Sequence, residues 1–305
     1  MYKADVLSTV SGGIEQGTKS LGNLNVKLTI DGEPLLGWRG TSFFLHGISS
    51  HGGKPNNHHA GSAQGIDNIE VSTNTAKVFE AWAQQLLWDD RASLLAGLYD
   101  LNSEFYVTSS AALFLHPASG IGSELALTGQ NGPSIFPASS AAVRLKVQPD
   151  SGHYIQAAVM DGVPGDPGNP RGTHIQFGEG EGALSIAEIA YLRGNHGQVF
   201  LTDRDRDDKS TEPFGKYALG IWQYSASFGD LTETDGAGNA IQRKDNRGVY
   251  LLAEQTLYHE TDTSQGLTAF ARYGMANADI NRIDRYMQIG AVYTGLFAGR
   301  DEDQL

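Results

Sequence analysis

The sequence predicts an all-β fold, an antiparallel up-and-down barrel that crosses a membrane with its strands. Three observations carry this. The strand-like segments run near ten residues, against about five or six in most soluble sheets and the ~9–11 that a tilted strand needs to cross a bilayer. Their side chains alternate between an apolar and a polar face, as strand geometry dictates. Their connections are either tight turns or long, Gly-rich polar loops, with the short ones expected at one end and the long ones at the other. Alternation alone also suits a soluble antiparallel sheet with one solvated face.

About twelve segments qualify. Tyr2–Ser11 sets Tyr2, Ala4, Val6 and Val10 against Lys3, Asp5, Thr9 and Ser11. Gly22–Asp31 sets Leu24, Val26, Leu28 and Ile30 against Asn23, Asn25, Lys27, Thr29 and Asp31. Gly40–Ser49 and Lys77–Trp88 flank the long loop containing "HGGKPNNHHAG". Arg91–Asp100 follows the tight turn at Asp89-Asp90. Ala141–Pro149 and His153–Asp161 are joined by "DSG". In the former, Val143, Leu145 and Val147 oppose Arg144, Lys146 and Gln148. Ala183–Leu192 and Lys216–Ala226 can be faced either way, and a long polar connection separates them. Arg247–His259, Leu267–Ala276 and Tyr286–Leu296 complete the series. Aromatic residues near strand ends suit interfacial girdles: Tyr2, Trp38, Trp88, Tyr99, Tyr154, Tyr191, Tyr217, Tyr258 and Tyr286. Asn102–Pro137 is too long for an ordinary connection and is expected to fold inward and narrow the lumen. The whole of 1–305 then forms one barrel domain.

Composition narrows the function. The chain has 305 residues with 38 Gly, 12 Tyr and 12 Phe, which suits many strands and turns. Its 22 Lys and Arg against 35 Asp and Glu give a net charge of -13. No basic cluster offsets that charge, so nucleic acid is not an expected partner. With no cysteine, disulfides, thiolate catalysis and Cys-ligated metals are excluded. No apolar run is long enough for a transmembrane helix. Met1 leads directly into a strand with no signal peptide before it, the look of a mature or fragment form.

The stretches "LGNLNVKLTIDGEPLLGW", "YDLNSEFYVT", "NGPSIFPASSAAVRLKVQP", "AAVMDGVPGDPGNP", "GVYLLAEQTLY" and the terminal "GRDEDQL" occur in order along the chain. Together they resemble the carbohydrate-selective porins of the OprB family. The resemblance implies a sixteen-stranded barrel in the bacterial outer membrane, passing small neutral sugars such as glucose by diffusion. It also implies an inward loop with polar side chains at the constriction. Here about twelve strands are covered, so the chain is expected to be C-terminally incomplete.

Within that frame Arg144 and Lys146 are the first candidates for the sugar path. Facing lipid at mid-depth would cost each cation ~2–4 kcal/mol, so both should face the lumen. Glu80, Trp82 and Gln84 alternate along one strand, placing a carboxylate, a flat ring and an amide on one face. Glu254 and Arg272 are expected to lie in adjacent strands and to pair with each other. The reading requires no cofactor or metal. His51, His58 and His59 read as a flexible exposed loop. Asp203, Asp205 and Asp207 mimic the start of a calcium loop, but Asp208 and Phe214 break that motif. Two other classes stay open, an outer-membrane barrel hydrolase and a soluble β-sandwich carbohydrate-binding module. Oligomeric state is open between monomer and homotrimer. The reading requires Val143 and Leu145 to meet acyl chains while Arg144 faces inward.

Overall fold

The computed structural model describes every residue except 195–212, 262, 264 and 298. The run containing Asp203, Asp205 and Asp207 therefore lies outside the described residues. Each expected segment is a strand: Tyr2–Thr9 (β1), Gly17–Asp31 (β2), Thr41–Gly52 (β3), Ala76–Leu87 (β4), Ala92–Tyr99 (β5), Ser140–Asp150 (β6), His153–Asp161 (β7), Ala183–Arg193 (β8) and Gly215–Tyr224 (β9). A hairpin of Phe228–Thr234 (β10) and Ala240–Arg243 (β11) follows, then Arg247–His259 (β12), Gly266–Ala276 (β13) and Arg285–Thr294 (β14). Twelve strands form one sheet in chain order, all antiparallel, with the β10–β11 hairpin standing apart between β9 and β12. Sequence reading missed that hairpin because its residues are mostly polar and exposed and carry no buried stripe. After β14 the chain turns back, and Tyr293 and Leu305 exchange both backbone hydrogen bonds.

Antiparallel order sends successive connections to opposite ends. The turn at Asp89-Asp90, where both residues have positive φ, shares its end with the turn at Ser151-Gly152. Asp is among the few residues that adopt this left-handed conformation readily. The connection from Arg193 to Gly215 starts and finishes at that same end. The expected segregation of long and short connections therefore fails at this point. The connections 53–75, 100–139, 162–182 and 225–246 all leave the opposite end.

The faces settle the sheet's orientation. Val143 and Leu145 are 52 % and 42 % exposed, while Arg144 and Lys146, which alternate with them, are 0 % and 1 % exposed. Leu24, Val26 and Leu28 of β2 and Met287 and Ile289 of β14 are likewise exposed. A contiguous apolar band of this extent belongs against lipid. Trp38, Trp88, Tyr191, Tyr217 and Tyr258 lie exposed at the short-turn end, with Tyr191 and Tyr217 stacked at 6.3 Å, as in an interfacial belt. Three expected girdle residues belong elsewhere. Tyr99 and Tyr154 are buried inside, and the Tyr286 hydroxyl donates inward to the Ala118 carbonyl. Their phenols serve as hydrogen-bond donors to the interior, a use that position near a strand end does not reveal.

β8 and β9 were ambiguous because both their faces are apolar. Leu184, Ile186, Trp222 and Tyr224 point inward and pack with Phe105, Tyr106, Ile121 and Leu125 of the β5–β6 connection. Ile189, Leu219 and Ile221 point outward. The protein thus has an apolar core inside the curved sheet as well as an apolar skin. Gly220 of β9 stands opposite Tyr250 of β12, and a side chain there would strike the Tyr250 ring. That gap lets the ring lie across β9 and reach Glu188 of β8, with Oη to Oε2 at 2.6 Å.

Candidate functional site

The β5–β6 connection is fixed to the wall strand by strand. Glu104 accepts from Arg144 Nε of β6 at 2.8 Å and from the Tyr99 hydroxyl at 2.7 Å. The Lys146 ammonium lies 3.6 Å from the same carboxylate. Tyr106 has positive φ, a strained conformation for an aromatic residue. Its N–H donates to Glu188 of β8 at 3.1 Å, and its ring packs on Tyr250 at 4.3 Å. Lys216 of β9 donates to the Val107 carbonyl at 3.0 Å. Glu254 of β12 accepts the N–H groups of Ser109 and Ser110 at 3.0 and 2.6 Å. Arg272 of β13 donates to the carbonyls of Ala118, Ser119 and Gly120 and sits 5.3 Å from the Tyr106 ring. Gln288 of β14 reaches the Ser119 hydroxyl at 2.8 Å. The loop therefore advances around the interior in the same order as the strands.

The seven residues singled out in the sequence all face inward and all are buried. Arg144, Lys146 and Gln84 converge, since Arg144 also donates to Gln84 Oε1 at 2.8 Å. Glu80 binds His46 Nδ1 at 2.9 Å. Trp82 stacks on Phe44 at 4.9 Å. Glu254 and Arg272 do not hold each other as expected, for the loop takes both. Its unsatisfied backbone groups offer each charge partners of the right polarity. His51 lies in β3, where it is exposed and bonds the Tyr2 hydroxyl at 2.9 Å; in the 53–75 connection His58 is exposed as expected, whereas His59 is buried against Gly17.

None of those seven residues borders the cavity that the described residues leave between the loop and the wall. A cavity of about 590 Å³ lies between the loop and the wall of β1–β3. Lys3, Asn23, Asn25, Lys27 and His46 form the wall side, with Asn102, Ser109, Ser119 and Phe114 on the loop side. A hydrogen-bond chain ties the wall together: His46 Nε2 to Asn25 at 2.9 Å, Asn25 to Asn23, and Asn23 to Ser50 at 2.9 Å. The alternation in "NLNVKLTID" already put Asn23, Asn25 and Lys27 on one polar face. It gave no sign that this face borders a cavity between wall and loop.

Glu124, in the short helix Ser123–Ala126 of the loop, is fully buried. Burial pushes its carboxyl up to about 7, against the pull of the Tyr106 hydroxyl and the Arg272 cation. Gly274 of β13 makes room for it, since a side chain at that position would collide with the carboxylate.

The sequence matches the profile of the carbohydrate-selective porin, OprB family, over residues 15–305. It is 23 % identical over 292 residues to Porin B of Pseudomonas aeruginosa, covering 90 % of this chain and 60 % of that protein. The chain thus spans less than two thirds of the length of that curated relative. The high pH structure of Pseudomonas putida OprB superposes with a TM-score of 0.81 at 19 % identity, covering 99 % of this chain and 71 % of that one. The low pH structure of the same protein gives 0.58 at 15 % identity, covering 99 % and 72 %. Both share the fold.

Proposed function

The chain belongs to the carbohydrate-selective porin family OprB, and from that premise we propose that it forms a passive path for small neutral sugars. Its place is the bacterial outer membrane, with lipid as the partner of the apolar skin, as a monomer or a homotrimer. The path runs through the cavity between the β1–β3 wall and the loop. That cavity is the observation on which the reading rests. Amide, hydroxyl and ammonium groups there can exchange hydrogen bonds with sugar hydroxyls, and Phe114 offers a face to sugar C–H groups. Such contacts are individually weak, which transport requires, because a solute held tightly does not leave.

Arg144, Lys146, Glu80, Gln84, Glu254 and Arg272 act on the path indirectly. They hold loop and wall in place and so set the width of the constriction, while Trp82 packs the wall. The inward segment 102–137 is the constriction element. No bond is made or broken, and no cofactor enters the process. Liposome swelling with a panel of neutral sugars and amino acids tests the reading. Swelling with monosaccharides that outpaces swelling with amino acids of similar size is the expected result. Equal rates would remove the sugar preference, and no swelling with any solute would remove the channel.

A further inference from the structure

The sign of the exposed charge in the cavity contradicts the sign of the whole chain. The chain carries -13, yet the exposed charged side chains on the cavity wall are Lys3 and Lys27. Neither ammonium has a partner among the described residues. Glu124 is buried and does not border the cavity, and four other interior acids have partners of their own. Glu104 is held by Arg144, Glu188 by Tyr154 and Tyr250, Glu254 by Ser109 and Ser110, and Glu80 by His46. Asp100, which also borders the cavity, is buried and accepts from Asn102 N–H at 3.0 Å. Asp5, on the same face of β1 as Lys3, lies two residues nearer the long-loop end and does not border the cavity.

From this we propose that the path also admits polyhydroxylated monocarboxylates of hexose size, the sugar-acid class, in preference to cationic sugars of that size. The inference rests on the porin reading above. A sugar acid offers the same hydroxyls as a neutral sugar to Asn23, Asn25 and Ser109, and adds a carboxylate for Lys3 or Lys27. An ammonium on a flexible stem is a mobile point charge with three donors and binds such a carboxylate without fixing its orientation. Both lysines are wet, so the attraction stays modest and screened by salt. It raises the local concentration of an anion without trapping it.

Efflux of labelled glucose, gluconate and N-methylglucamine from proteoliposomes tests the proposal, since the latter two are open-chain polyols of similar size that differ mainly in charge. At low salt, gluconate should leave about two- to five-fold faster than N-methylglucamine, the scale of an exposed ion pair. High salt should compress that ratio toward one. The double variant Lys3→Gln, Lys27→Gln should bring the gluconate to N-methylglucamine ratio to one. Its folding is checked by the heat-dependent shift in gel mobility. Equal rates for the two ions in the wild-type protein, or an unchanged ratio in the double variant, overturn the proposal while the porin reading stands. Failure of glucose itself to leave would instead overturn the porin reading.

Discussion

Arg144 has the chemistry of a pore-lining residue and the surroundings of a structural one. Its guanidinium is fully buried and divided among Glu104, Gln84 and Ser93. Removing one member of a buried pair costs ~3–5 kcal/mol, because the other charge is left behind. Arg144→Ala should therefore lower the unfolding free energy from urea titration of the reconstituted protein by an amount of that order and increase channel conductance as the loop loosens. An altered sugar preference at unchanged stability would place Arg144 on the path instead. Glu124 gives the residue scale its pH dependence. Its proton is held more tightly in the folded state than in the unfolded one, where a carboxyl sits near 4.5. The stability tied to the neutral form is thus complete below about 4.5 and lost as pH rises toward about 7. Loop protection, read by amide hydrogen exchange of 118–128, should fall over that interval in wild type and stay flatter in Glu124→Gln. Alternation alone revealed that Arg144 points inward. Its partner Glu104 is forty residues away, and no periodicity links a wall cation to the loop that covers it.

The loop is the element on which the others converge. Glu254 supplies two acceptor oxygens to the N–H groups of Ser109 and Ser110, where the turn Ser110–Leu113 starts and lacks internal partners. Glu254→Ala leaves these donors unsatisfied at ~1–3 kcal/mol each. It should appear in single-channel records as higher conductance with more open-state noise, and Glu254→Gln should recover part of the effect. Records indistinguishable from wild type would mean that this contact does not set the constriction. The strands themselves were legible because a lipid-facing stripe must be apolar at every second residue. Legibility failed where that constraint lapses. β8 and β9 back onto the apolar part of the loop, so both of their faces are greasy. β10 and β11 stand clear of the main sheet and carry no stripe. The end to which the 194–214 connection belongs is fixed by strand order rather than by its length or polarity.

Over the whole molecule, two apolar surfaces flank one polar layer. The outer surface is the exposed apolar stripe of the strands, and the loop, together with the inner faces of β8, β9 and β12, forms the inner one. Between them the inward charges are spent on the loop, except along β1 and β2, where the wall stays open to solvent. The sequence carried the first half of this arrangement in its alternation and its strand lengths. The second half depends on which strands the loop covers, a tertiary fact with no local signature. The absence of native cysteine allows a direct test of the path. Asn25 and Val26 are neighbours on β2, one bordering the cavity and the other exposed on the lipid face. Asn25→Cys and Val26→Cys, each treated with a charged, water-soluble thiol reagent while sugar flux is recorded, separate the two surfaces. Rapid modification and reduced flux at Asn25→Cys, with neither at Val26→Cys, is the predicted result. Block at Val26→Cys, or equal modification at both with flux unchanged, would contradict it.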